Sequence, residues 1–319
     1  MRSHCSLYVD AGYLLASAAT RVTGTSLRNG IHVEYPKLVS ALIEQAQQLS
    51  GLPVLRVHWY DSAKDGVPDT QQARIGELPR VKLRLGRFGV DGQQKGVDLR
   101  MGLDLVTHAR NQASDVFLLV SGDDDLTEAV EEAQVHGVEV LILAVPNAAG
   151  RAHGVSRHLL RAADALAILD PQVVDASVMK VEVPPAVAAV VADPRIVRKP
   201  PIPTPNDLAA KVRPAPAAPD SVLAYTASTG GGGYGVSGSG DSQDYADQID
   251  DVVRNVLASF RKSATNEVTA ALLRGRPSIP GDIDRALLID LSDELGEYDL
   301  SDAVRFRLRV RFWELFETA

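Results

Sequence analysis

The sequence predicts an α/β protein, with an open, mostly parallel sheet flanked by helices, followed by a linker and a small helical module. Three observations carry this reading. Over the first 170 residues, short runs rich in Val, Leu and Ile alternate with helix-period segments, the pattern of successive βαβ units. From about Pro171 the composition shifts to Pro, Ala and Val, then to TGGGGYGVSGSG at 229–240, which holds too little apolar surface to order itself. From 244 onward, apolar residues return at spacings of three and four. The divisions that follow are an α/β domain over 1–172, a linker over 173–243 and a helical domain over 244–319. The linker is expected to be stiff where it is Pro-rich and loose where it is Gly- and Ser-rich.

Six strands are expected, over 7–9, 54–59, 81–88, 116–120, 138–144 and 166–169. Between them, one helix begins at Pro36, carries Leu38, Val39, Leu42, Ile43, Ala46 and Leu49, and stops at Gly51. A second runs from about Asp98 to Asn111, a third follows Asp123 and ends at Gly137, and Ser156 is placed to cap a fourth before Asp164. In the C-terminal module Ile249, Val252, Val253, Val256, Leu257 and Phe260 form one helical stripe. Ile283, Leu287, Leu288, Leu291 and Leu295 form another that ends at Gly296. Arg305, Arg307, Arg309 and Arg311 alternate with Phe306, Leu308, Val310 and Phe312, which is a strand period. The length of that segment and the start signals Ser301 and Asp302 favour a helix instead. Its arginines are read as ion-paired within the module or as a solvated face, with RNA or partner binding second.

At 45% hydrophobic and 23% charged residues the chain has an ordinary soluble balance, and no apolar run approaches the roughly 18 residues of a membrane span. A cytoplasmic location without membrane contact is expected. The single Cys5 excludes an intrachain disulfide and a multi-cysteine zinc site, and reads as a small buried thiol. A net charge of −8 excludes a uniformly basic nucleic-acid coat, so phosphate contacts would have to come from local patches together with a bound cation.

Four carboxylates stand out by position. Asp10 ends the first strand, Asp98 opens a helix after a turn, and Asp123 and Asp125 follow the strand over 116–120 through Ser121-Gly122. In an open parallel sheet, ligands bind beyond the carboxyl ends of the strands at a switch point, so these loops are expected to meet in one crevice. Clustered carboxylates repel one another unless a cation neutralises them, and hard oxygen ligands suit Mg²⁺ or Mn²⁺. Taken singly, Asp98 and Asp123 are better explained as helix caps, and it is their joint occurrence at strand-end loops that favours a site. Asp124 reads as a solvated first-turn charge pointing away, and Asp104, six positions beyond Asp98, as an anchor for its helix.

These segments together resemble the NYN domain of the PIN-like nuclease superfamily over about residues 5–170. The resemblance rests on LYVDAGYLL around Asp10, on Lys95-Gly96-Val97-Asp98-Leu99-Arg100, on Ser121-Gly122-Asp123-Asp124-Asp125-Leu126, and on His153-Gly154-Val155-Ser156 with the later Ala163-Asp164. It implies a PIN-like fold and a Mg²⁺- or Mn²⁺-dependent ribonuclease that hydrolyses RNA phosphodiester bonds, with Asp10, Asp98, Asp123 and Asp125 as catalytic metal ligands. Lys95, Arg100, Ser121 and Tyr13 are the expected substrate contacts. Where the family usually carries Asp-Gly-x-Asn, this chain has Asp10-Ala11-Gly12-Tyr13. The expected partner is RNA, single-stranded or structured, with the 244–319 module open to a protein partner and a homodimer left open. The alternative from another class is a catalytically inactive NYN-fold protein that binds nucleic acid or nucleotide as a scaffold. An aspartyl-phosphate enzyme is disfavoured because no Asp-x-Asp pair follows the first strand. Arg80, Lys82, Arg84 and Arg87 put positive charge on or beside one strand, read equally as a protected sheet edge or a nucleic-acid track.

Overall fold

The computed structural model describes residues 3–63, 66–88, 94–181, 245–296 and 300–318. The Pro-rich and Gly/Ser-rich tracts of the expected linker lie outside the described residues. Strand β1 (Cys5–Asp10) runs straight into α1 (Ala11–Thr23), and β2 (Ile31–Val33), α2 (Tyr35–Ser50) and β3 (Val54–Ala63) follow. Next come α3 (Thr70–Gly76), β4 (Val81–Phe88), β5 (Gln94–Lys95), α4 (Val97–Arg110), β6 (Val116–Val120) and α5 (Thr127–Val135). The α/β part closes with β7 (Glu139–Ala144), α6 (Arg157–Ala162), β8 (Ala165–Ile168), α7 (Pro171–Ser177) and β9 (Val178–Lys180).

Seven of these strands form one sheet in the order β5-β4-β3-β1-β6-β7-β8. Every pairing is parallel except β4 with the short β5. The fold class is therefore the one the sequence predicts. Alternation along the strands divides the core between the two faces. On one side Leu7, Val9, Trp59, Leu118 and Leu143 pack with Leu14 and Leu42 of α1 and α2. On the other, Tyr8, Tyr60, Phe117, Leu119 and Ile142 pack with Met101, Leu105 and Val130 of α4 and α5.

Strands β4 and β6 have the expected limits, whereas β3 runs four residues past Trp59. Its polar end continues because Asp61, Ser62 and Ala63 stay in register with Leu85, Gly86 and Arg87 of β4. Helix α1 is an addition to the sequence reading; its Ala-rich run is started by Asp10, whose side chain accepts the Tyr13 N–H. Ser156 caps α6 as expected.

The C-terminal helices are α8 (Ala246–Ser263), α9 (Asn266–Arg274), α10 (Gly281–Leu295) and α11 (Asp302–Thr318). The Arg-apolar alternation in α11 resolves as a helix: Val304, Leu308 and Phe312 are buried at four-residue spacing while Phe306 is exposed. Its arginines pair inside the module, Arg309 with Asp284 at 2.7 Å and Arg311 with Asp250 at 2.5 Å. Among the described residues no helix is long and apolar enough to cross a membrane.

The sequence sets this module apart at 244, but Met1–Val183 and Tyr245–Ala319 form one compact unit. The joint is the loop after α1. Leu27 is fully buried inside the helical cluster among Val256, Leu287 and Leu308. The Ser26 N–H donates to Asp290 Oδ1 at 2.9 Å, and Asn29 Nδ2 donates to Asp282 at 2.7 Å.

Burial pushes the Asp290 carboxyl up from 3.8 to about 6, against the opposing pull of its bonds from Ser26 and the charge of His153, and with a small push from Asp293. Because the folded value lies above the unfolded one, the folded protein holds a proton in this window that the unfolded chain releases, so stability falls as pH rises from about 4 to 6. Asp290→Asn removes that dependence. The Tm of the variant minus that of the wild type is expected to climb by roughly 5 °C between pH 4 and pH 7. A difference that stays flat across that range contradicts the assignment.

Candidate active site

The carboxyl ends of β1, β3, β6 and β7 open on one cavity of about 940 Å³. Strand β1 is central, with β3 on one side and β6 on the other. The chain builds outward through β3 and β4, then crosses back to build outward again from β6. The junction of β1 and β6 is thus the switch point of the sheet, where an open α/β fold presents its crevice.

Asp10, Asp98 and Asp123 all line this cavity. Asp10 closes β1, Asp98 stands in the first turn of α4, and Asp123 caps the short 3-10 turn Asp124–Leu126 by accepting the Asp125 N–H at 3.1 Å. Burial, and then the Asp98 charge, pushes the Asp10 carboxyl up to about 6. Opposing this are bonds from the Tyr13 and Gly12 N–H groups and the charge of Arg28. Asp98 is raised by burial, then by Asp123 and Asp125. Asp123 is raised by burial and by its neighbours Asp125 and Asp124.

Asp125 is exposed and lies outside the lining of the cavity, although its charge reaches Asp98 and Asp123. Asp124, expected to point away, instead lines the rim, held there by the Ser156 hydroxyl and by His158 Nδ1 at 3.2 Å. Those bonds hold its carboxyl below the usual range. The donor set is wholly carboxylate oxygen, and its mutual repulsion is the cost a divalent cation would remove. Among the described residues no three such side chains stand close enough to hold an ion as they are.

Two tight packings fix the loops. The Tyr13 hydroxyl donates to the His153 carbonyl at 2.7 Å and accepts the Val145 N–H at 3.2 Å, so it ties α1 to the segment after β7. Gly122 lies against that same segment, and a Cβ there would fall 1.8 Å from the Gly154 carbonyl oxygen. Ser121 is fully buried; its hydroxyl donates to Asp10 Oδ2 at 3.4 Å and accepts the Asp123 N–H at 3.3 Å. Of the expected substrate contacts, Ser121 and Tyr13 therefore hold the framework.

Arg100, an expected substrate contact, donates to the Leu85 carbonyl at 3.2 Å and is not among the residues lining the cavity, while the backbone of Lys95 pairs in β5 with that of Arg87 in β4. Asp104 anchors its helix as expected, accepting from Tyr60 at 3.0 Å and pairing with Arg84 at 3.2 Å. The charge on β4 is thus partly committed at Arg84. Trp59 is core, edge-on to Tyr35.

Sequence reasoning missed Arg28 and Arg285, which both line the cavity. Asp61 lines it too, its carboxylate fixed by the Gln72 amide at 2.9 Å and the Ser62 N–H at 2.8 Å. A Cβ on Gly12 would lie 2.9 Å from Asp10 Oδ1 and 3.2 Å from an Arg28 Nη, so the absence of a side chain here leaves room for both groups. The Asp-Ala-Gly spacing was a usable signal for that close approach; nothing local to Arg28 or Arg285 marks them.

Gly122→Ala is expected to lower stability by about 3 kcal/mol, because the new methyl meets backbone rather than a movable side chain. Urea denaturation followed by circular dichroism measures it. An unchanged midpoint would show that this packing is looser than described.

The NYN domain family model matches residues 6–170, just over half of the chain and all of the seven-stranded sheet but Cys5. Over 79 residues the chain is 42% identical to "Uncharacterized protein y4oD" of Sinorhizobium fredii (strain NBRC 101917 / NGR234). That stretch is 25% of this chain and 37% of that protein, so the chain spans little more than a third of the curated relative it matches. With the parallel sheet, the switch-point cavity and the match agreeing, the chain belongs to the NYN domain family, a PIN-like nuclease family.

Proposed function

We propose that this protein is a divalent-metal-dependent ribonuclease whose site is the carboxylate cavity at the end of β1. The observation that carries the reading is the presence of Asp10, Asp98 and Asp123 in one half-buried cavity of a nuclease-family domain, each raised by burial and by a neighbouring carboxylate. Asp10 and Asp123 would be the direct ligands of Mg²⁺ or Mn²⁺, with Asp98 and the outlying Asp125 contributing charge and orienting water. A bound cation supplies charge neutralisation at the scissile phosphate and a water of lowered pKa for in-line attack.

The chain's own groups do the positioning. Ser121 holds one oxygen of Asp10 and the Tyr13 N–H holds the other, so the carboxylate cannot swing freely. The Tyr13 hydroxyl and Gly122 set the distance between the β6 and β7 loops. Arg28 offsets part of the Asp10 charge and faces the space where a phosphate would lie. RNA, single-stranded or structured, is the proposed partner, and the cytoplasm the proposed compartment.

A second reading, an inactive NYN-fold binding protein, is favoured by one observation: Tyr13 stands where the family pattern has Asn, and its hydroxyl is already bonded on both sides. Labelled single-stranded RNA incubated with Mn²⁺, with EDTA, and with Asp10→Asn or Asp123→Asn separates the two. The proposal predicts cleavage with Mn²⁺ only and a drop of at least 10²-fold in either variant. Binding without cleavage under any metal condition favours the scaffold. Cleavage that survives both substitutions removes the site assignment.

A further inference from the structure

The acidic cavity is not built by the α/β domain alone. Asp282, Ala286 and Asp290, spaced four apart on α10, meet the loop after α1: Asp282 accepts from Asn29, the Ala286 carbonyl from the Ser26 hydroxyl at 3.4 Å, and Asp290 from the Ser26 N–H. Arg285, Ile289 and Ser292 lie on the adjoining face of the same helix and line the cavity. The helix therefore does two things at once. It grips the loop that carries Arg28, and it brings Arg285 into the lining of the cavity that Asp10, Asp98 and Asp123 share.

We propose that Arg28 and Arg285 form a two-arginine clamp on the phosphate backbone of the RNA strand beside the scissile bond, so that the C-terminal module completes the substrate site. This rests on the ribonuclease reading. A cavity lined by Asp10, Asp61, Asp98, Asp123, Asp124 and Asp293 repels a polyanion, and Mg²⁺ or Mn²⁺ at the cutting point leaves the flanking phosphates uncompensated. Guanidinium groups bind phosphate oxygens two at a time. The two arginines also act on one another as like charges, and burial and Arg285 both lower Arg28, while Arg285 favours the ionised form of Asp98. Two cations brought within reach of one another gain from an anion between them.

The test uses the full chain and a fluorescent single-stranded RNA oligonucleotide, with binding read by anisotropy in Ca²⁺ and cleavage in Mn²⁺. Arg285→Ala is expected to weaken binding about tenfold, to raise KM with kcat within about twofold, and to reduce the slope of log K against log salt by about 0.7, the loss of one phosphate contact on a single strand. Arg285→Lys is expected to restore most of the salt slope. An unchanged affinity and slope in Arg285→Ala, with the wild type binding RNA, overturns the clamp and leaves the ribonuclease reading standing. Weakened binding with an unchanged slope and a lowered Tm also overturns it, since that marks a docking role. A wild-type protein that neither binds nor cleaves RNA overturns both.

Discussion

Asp10, Asp98 and Asp123 bring negative charge into one half-buried cavity, where burial and mutual repulsion drive each toward its protonated form. A protein keeps such an arrangement only by fixing the carboxylates from outside. Here the fixing is done by strand ends that cannot move independently: β1 is hydrogen-bonded on both sides, to β3 and to β6, in a sheet with both faces covered. The cavity's geometry is a consequence of that central strand, and the side chains around it are largely devoted to holding it.

Ser121, Tyr13 and Gly122 serve this purpose. Ser121 and Tyr13 look like substrate contacts when seen only as residues near an Asp. In place, Ser121 links Asp10 to the β6 loop, Tyr13 links α1 to the β7 loop, and Gly122 allows those loops to touch. The positive counterpart comes from farther off. Arg28 belongs to a loop whose neighbour Leu27 is buried in the C-terminal helices, so the charge balance of the cavity depends on packing between segments more than 200 residues apart in sequence.

The sheet was legible because its strands are short, apolar and cleanly separated, and β4 and β6 could be read to the residue. The acidic loops were legible because strand ends in a parallel sheet have a fixed meaning. Helix α1 was not, since Asp10 draws attention as a site residue and conceals that it also caps thirteen helical residues. The facing of Asp124 depends on Ser156 and His158, more than thirty positions away, which no local pattern reports. The direction of Arg100 is hidden for a similar reason: it adjoins Asp98 in sequence, but its side chain turns to the β4 backbone. The docking of the C-terminal helices was illegible because Leu27, its apolar anchor, sits in an otherwise polar loop.

The central claim is that Asp10 and Asp123 hold a divalent cation with help from Asp98. The most direct test is a crystal soaked in Mn²⁺, with the anomalous signal recorded at the manganese edge. The account predicts a peak at the end of β1, with oxygens of Asp10 and Asp123 at roughly 2.1–2.3 Å. It also predicts that the peak is lost in Asp10→Asn. Manganese bound only at other carboxylates, with this cavity empty at saturating metal, would contradict it.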